Sequence, residues 1–213
     1  MQRALKLISK NAANLIVFVR ISMLAPILLL LSSDSQKNEI SGAILLLLTF
    51  TLDGIDGYAA RKLNINSEVG ALLDTLGDRI TENVMVVYFS YQGFIPLWIA
   101  IFFIMRSFSA DFIRTLNFKK NIGTFGINDS WLGKLFVSSI MSRVLYLAAK
   151  MLLFAGCSLI LILKSGQTDI HFQYALRKIV YFNCFAVFIF NFIRFIILIY
   201  DSRHILRDEF FED

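Results

Sequence analysis

The chain has 213 residues, 57% of them hydrophobic, and a mean hydropathy of +0.66, which would leave too much apolar surface in water for a soluble globule. Its 21 Lys and Arg against 16 Asp and Glu give a net charge of +5, too small and too dispersed for a nucleic-acid surface. What remains is an integral membrane protein.

Apolar runs of about the length that crosses a bilayer as helix recur at 14–33, 40–59, 72–91, 94–114, 139–163 and 179–200. They predict an all-α fold with six transmembrane helices in a single domain, 1–213. Segment 1–13 is expected to lie on the membrane as a short amphipathic helix, 14–200 to form the bundle, and 201–213 to be a cytoplasmic tail. In the first segment Leu5, Ile8, Ala12 and Leu15 share one helical face and Arg3, Lys6 and Lys10 the opposite one, although a basic flank of the first span explains the same charges. The first apolar run is too long for a cleavable signal and lacks a small-residue cleavage site, so the first helix is expected to stay.

The second and third runs enclose the stretch Leu52–Val84, where Asp53, Asp56, Asp74 and Asp78 sit beside the most apolar segments. The fourth run leads into Arg114–Lys134, which carries three glycines and reads as a cytoplasmic loop. Between the fifth and sixth runs, Lys164–Lys178 is expected to be an outer connection, and the acidic end, RDEFFED, a solvated tail. Arg3, Lys6, Lys10, Arg61, Lys62, Arg114, Lys119, Lys120, Arg203 and Arg207 fall at alternate ends of the spans, which places both termini and the acidic stretch on the cytoplasmic side; Arg177 and Lys178 run against that trend. Cys157 and Cys184 lie in separate apolar runs and read as small hydrophobes. His171 and His204 lack a nearby metal-ligand partner and read as surface histidines.

On a helix, Asp53, Asp56, Gly57, Ala60 and Arg61 share one face, and Gly70, Asp74 and Asp78 line a second. Four carboxylates converging at a membrane boundary repel one another and are costly to desolvate, and divalent cations offset both effects. An all-oxygen ligand set favours Mg²⁺ or Mn²⁺ over zinc, and four carboxylates suffice for two ions that share ligands. Such ion pairs recur in phosphoryl transfer. Gly54, Gly57, Ala59, Ala60, Gly70 and Ala71 leave room for a base and a pyrophosphate to approach backbone, and Arg61 can hold a phosphate; close helix packing explains the same small residues. Spacing alone does not choose a base among the four aspartates.

The strings DGIDGYAAR and, eight residues on, GALLDTLGD resemble at every defined position the signature of the CDP-alcohol phosphotransferases, D-x-x-D-G-x-x-A-R and G-x-x-x-D-x-x-x-D. The resemblance implies a six-helix homodimer in which Asp53, Asp56, Asp74 and Asp78 hold two divalent ions and Gly57, Ala60 and Arg61 contact the CDP moiety. It assigns Asp78 as the base. It further implies that an acceptor hydroxyl attacks the β-phosphorus of a CDP-linked lipid such as CDP-diacylglycerol and releases CMP, while the lipid tails stay among membrane lipids.

Outside the signature the resemblance leans toward the phosphatidylglycerophosphate synthases, whose first span opens with N-x-x-T-x-x-R. Here NLIVFVR keeps Asn14, a nucleotide-contact candidate, and Arg20, but has Val17 in place of the threonine. RSFSADFIR keeps Arg106 and Arg114 of that branch, with Ser107 where a glutamate usually follows; Gly133 and Lys134 match its GK, but the second lysine is missing. Arg106, Arg114, Lys134, Arg143 and Arg194 are candidate ligands for an acceptor phosphate, and snorkelling is the rival explanation. The leading expectation is transfer to glycerol 3-phosphate. A phosphatidylinositol-phosphate synthase is the nearest alternative, and a small cation transporter that of a different class, for which the acids crowd onto too few helices.

Overall fold

The structure is a computed structural model that describes residues 2–62, 68–119, 130–166 and 168–211, with side chains described for 17–51, 73–113, 115–116, 130–137, 139–166, 168–203 and 207. Long apolar runs form helix, even with Pro26, Gly42 and Gly77 inside them, and among the described residues there is no strand. Among the described residues six long α-helices follow one another: α1 (Gln2–Leu31), α2 (Gln36–Lys62), α3 (Glu68–Tyr91), α4 (Leu97–Lys119), α5 (Ile140–Ser165) and α6 (Ile170–Phe211). A π-helical turn, Gly133–Ser138, precedes α5. Among the described residues, two helices are long and apolar enough to cross a bilayer by length and composition, α5 and the Ile170–Arg203 part of α6. Large apolar side chains such as Leu29, Phe108, Leu152 and Phe182 are exposed, a surface suited to lipid rather than water.

The helices run beyond the expected segments, and the outer connection needs correction. The interfacial helix and first span are one element, because no Gly or Pro interrupts α1 before Pro26. The outer connection shrinks to a few residues, since α5 reaches Ser165 and α6 starts at Ile170, where the Asp169 carboxylate accepts the His171 N–H at 2.9 Å as a cap. The segment 201–213 is helical through Phe211, again without a breaker.

The chain divides into two compact units, Met1–Phe94 with Phe154–Arg177, and Ile95–Leu153 with Lys178–Asp213. In the first unit, α1 turns into α2 through Asp34, whose φ of 49° is left-handed, a conformation aspartate tolerates. The two helices close tightly because Gly42 faces Leu31: a Cβ there would come within 3.0 Å of the Leu31 Cγ. Phe154 joins this core by stacking on Phe50 (5.5 Å) and Phe89 (5.9 Å). Glu39, 2% exposed, accepts a hydrogen bond from the Ser165 hydroxyl at 2.7 Å and so ties the start of α2 to the end of α5. α3 ends in a Schellman cap: Gly93 (φ 77°) donates to the Ser90 carbonyl, Phe94 donates to the Phe89 carbonyl, and the Phe89 and Phe94 rings meet.

The second unit is held by an aromatic ladder between α4 and α6, in which Trp98 meets Phe185 and Phe188 while Phe102 meets Phe188, Phe192 and Phe195. Ala110, Ile113 and Leu198 continue the contact as a buried cluster. Ser130 braces the π-helical turn, accepting the Gly133 N–H at 2.9 Å while its hydroxyl donates to the Asp201 carboxylate at 3.0 Å.

Candidate functional site

The acidic repeat of α3 is built around Gly77, which lies one residue before Asp78 and three after Asp74. A Cβ on Gly77 would fall 2.8 Å from the Val17 Cγ1, so the glycine is what lets α1 lie against α3 at this level. Val17, standing where the phosphatidylglycerophosphate synthases carry threonine, is buried and spends its branched side chain on this contact. Arg20, almost one turn further along α1, is thereby brought to the carboxylates on either side of the glycine.

The Arg20 side chain is 3% exposed, and its two terminal nitrogens part between the acids: Nη2 donates to Asp78 Oδ1 at 2.8 Å, and Nη1 lies 3.5 Å from Asp74 Oδ1. A guanidinium this deep is costly unless paired, and the planar fork matches two carboxylates one turn apart better than an ammonium would. Both carboxylates remain nearly half exposed, at 47% for Asp74 and 45% for Asp78. Arg20 was not among the residues singled out for the site; its signal lay in NLIVFVR, where it keeps the arginine of the related branch.

The remaining members of the expected site are placed by backbone only. Asp53, Asp56, Gly57, Ala60 and Arg61 lie on the last turns of α2, Gly70 on the first turn of α3, and Asn14 on α1; the side chains of these residues, and of Arg114 on α4, lie outside the described residues. Among the described residues no three metal-ligating side chains come together. Asp74 and Asp78 are the described half of the four-aspartate set, and their hard, partly exposed oxygens suit Mg²⁺ or Mn²⁺.

The described candidates for an acceptor phosphate belong to the second unit. Arg106 is 9% exposed on α4, while Lys134 in the π-helical turn and Arg143 in the first turn of α5 are exposed. Arg194 of α6 is committed to protein: its Nη2 makes a long, 3.4 Å hydrogen bond to the Val137 carbonyl, and its guanidinium lies 5.2 Å from the Tyr146 ring centroid and 5.8 Å from that of Phe190. Arg194 therefore fastens α6 to the turn that presents Lys134. Cys157 and Cys184 are buried, as expected of small hydrophobes.

The chain is similar to the CDP-diacylglycerol–glycerol-3-phosphate 3-phosphatidyltransferases of Bacillus subtilis (34% identical over 76 residues, 36% of this chain and 39% of the relative) and of Mycoplasma genitalium (28% over 142 residues, 59% of each). The enzyme of that name from Aquifex aeolicus is 33% identical over 98 residues, 45% of this chain and 52% of the relative. The chain thus spans about two fifths to three fifths of the length of these relatives. No solved structure matches it. The family model described as CDP-alcohol phosphatidyltransferase matches residues 10–189, a span that takes in Arg20, all four aspartates and the candidate cations up to Arg143. With the aspartate signature, the α1–α3 ion cluster and a family match over most of its length, the chain belongs to the CDP-alcohol phosphatidyltransferase family.

Proposed function

We propose that the chain transfers a phosphatidyl group from CDP-diacylglycerol to the hydroxyl of a small phosphorylated alcohol, glycerol 3-phosphate first, and releases CMP. The observation that carries this reading is the Arg20 guanidinium buried against two half-exposed carboxylates on the helix face that bears the family's aspartate repeat. The names of the relatives support the choice of acceptor.

In this reading Asp53, Asp56, Asp74 and Asp78 would hold two divalent ions, Mg²⁺ or Mn²⁺. Bound there, the ions would neutralise charge on the diphosphate oxygens. Gly57, Ala60 and Gly70 leave space along the CDP moiety, Arg61 and Asn14 contact it, and Arg20 fixes the Asp78 carboxylate. The acceptor oxygen forms a bond to the β-phosphorus, Asp78 takes the hydroxyl proton, and the bond from that phosphorus to the CMP oxygen breaks with its electron pair leaving on CMP. Lys134 receives the acceptor's phosphate, with Arg106, Arg114 and Arg143 as further candidates, and Arg194 positions the turn. All six long helices span the bilayer, both termini and the site face the cytoplasm, and two copies form a homodimer; helix order, basic helix ends and the family resemblance support this.

The test is CMP release by purified protein in liposomes containing CDP-diacylglycerol, with glycerol 3-phosphate, inositol phosphate, serine, free inositol and choline phosphate offered in turn. Turnover is expected with glycerol 3-phosphate, to be abolished by chelator and by Asp78→Asn, and Lys134→Ala should raise the acceptor's KM well above its effect on the lipid's. Turnover in excess chelator overturns the two-ion reading, and a preference for serine or free inositol overturns the phosphate site.

A further inference from the structure

The π-helical turn before α5 carries a surface that the proposed reaction does not use. Ser130 Oγ donates to the Asp201 carboxylate at 3.0 Å ahead of it, and the Val137 carbonyl accepts from Arg194 Nη2 at 3.4 Å near its end, so the turn is pinned to α6 on both sides. Gly133 is buried. Trp131 is nonetheless 74% exposed, and Leu132 and Leu135 are exposed beside it. A fixed backbone that holds a tryptophan and two leucines outward is a poor surface for water, and such patches mark contact with a partner or a membrane.

Helix α6 shows at what depth this surface lies. Every exposed side chain on it from Tyr181 to Tyr200 is apolar or aromatic, Phe182, Ile189 and Ile196 among them, and the next exposed ones described are Arg203 and Arg207. At about 1.5 Å per residue the two tyrosines stand about 28 Å apart, close to the hydrocarbon thickness of about 30 Å. They mark the two boundaries. Trp98 lies at the first of these, since its ring and that of Tyr181 both meet Phe185, and Trp131 lies at the second, next to the Ser130 that Asp201 holds. Rings with one polar edge collect at such boundaries. Just outside the second, the Arg203 guanidinium lies 4.3 Å from the Tyr200 ring centroid. The described charges at this end are Lys134, Arg203 and Arg207 against Asp201, which is bonded to Ser130. The acids of the tail begin at Asp208, about 7.5 Å beyond Arg203 along the helix and so about a Debye length away at physiological salt. Rings at the boundary and cations just beyond it match a lipid that carries negative charge in its headgroup. We infer that the turn and the end of α6 form a docking surface for anionic phospholipids, with Trp131 and Leu132 in the boundary layer of the leaflet and Arg203 and Arg207 facing the headgroups. The surface is independent of the reaction proposed above.

The experiment is fluorescence quenching in liposomes, and it uses the fact that the chain has 2 tryptophans. In the full chain carrying Trp98→Phe, which keeps a ring against Phe185 and Phe188, Trp131 is the sole reporter. Should that variant fail to fold, the difference between wild-type protein and Trp131→Phe gives the same signal. Phosphatidylcholine brominated near the glycerol end of its acyl chains is expected to quench Trp131 more than the same lipid brominated near the methyl end. Brominated phosphatidylglycerol, at about one tenth of the lipid, should quench about fivefold more effectively than brominated phosphatidylcholine at the same fraction, the enrichment expected from one interfacial cation. That preference should fall to parity in the double variant Arg203→Ala, Arg207→Ala and at about 1 M salt, where the Debye length is about 3 Å, and persist in Lys178→Ala at the other end of α6. Absence of quenching by either brominated phosphatidylcholine would place Trp131 in water or under protein, and stronger quenching by the deep bromines would place it in hydrocarbon; each overturns the docking surface. Equal quenching by the two headgroups, or a preference that survives the loss of both arginines, overturns it as well.

Discussion

Arg20 decides how the carboxylates of α3 behave. With its side chain 3% exposed, it holds Asp78 at 2.8 Å and Asp74 at 3.5 Å, and removing it takes the shared guanidinium from two like charges one helical turn apart. Truncating one member of a buried, hydrogen-bonded charge pair costs about 2–5 kcal/mol, and the half-exposure of the two acids brings the loss here to about 1–2 kcal/mol. Arg20→Ala should accordingly lower kcat by about five- to thirtyfold, with a smaller change in the KM of either substrate. Arg20→Lys should recover only part of that, because an ammonium is a point charge and does not reach two carboxylates in a fork. Steady-state kinetics at saturating lipid, normalised to folded protein, checks this; an unchanged kcat with a lowered melting temperature would make Arg20 a purely structural residue.

At the scale of helices, the approach of α1 to α3 depends on one missing methyl group. The Gly77 Cβ position lies 2.8 Å from the Val17 Cγ1, and Val17 is both buried and β-branched, so its side chain has little room to turn away. Gly77→Ala should destabilise the protein by about 1–3 kcal/mol, as overpacking does, and reduce turnover by moving Arg20 from the acids. Val17→Ala in the same chain should restore most of both, which thermal unfolding and CMP release in the single and double variants would measure; failure of the second substitution to rescue would show that Gly77 matters for another reason. The acids themselves were legible in the sequence, because helical spacing exposes Asp74 and Asp78 on one face. Their arginine partner was less so, since it stands 54 residues before Asp74 and only packing through Gly77 brings the two together. Val17 illustrates the same limit: as an aligned letter it is a missing hydroxyl, and in the fold it is the wedge that meets Gly77. The π-helical turn at Gly133–Ser138 left no periodic pattern to read, and the role of Arg194 as its fastener depends on a backbone carbonyl.

For the whole molecule, hydropathy located the helices but not their full lengths, because polar residues beyond the membrane lack an apolar signal while still favouring helix. At about 1.5 Å per residue, the 42 residues of α6 extend to about 63 Å, roughly twice the hydrocarbon thickness of a bilayer. The helix must therefore project into water, and Asp201, Arg203 and Arg207 lie on its last turns. If each of the six helices crosses once, the start of α1 and the ends of α2, α4 and α6 share a side that carries Arg3, Lys6, Lys10, Arg61, Lys62, Arg114, Lys119, Arg203 and Arg207, whereas the opposite ends carry Lys37, Lys164, Arg177 and Lys178. Part of the opposing charge is occupied in the fold, since the Arg177 guanidinium lies 5.6 Å from the Phe94 ring centroid. The excess of Lys and Arg on the first side then sets orientation, and a fluorescent protein fused after Asp213 should fold and fluoresce in cells while an alkaline phosphatase fused there stays inactive. A phosphatase fused between Asp34 and Gln36 should behave in the opposite way. Active phosphatase at the carboxyl end with an inactive one after Asp34 would put the aspartates on the wrong side for a nucleotide-linked donor supplied from the cytoplasm and overturn the orientation, and activity at both would overturn the six-crossing count.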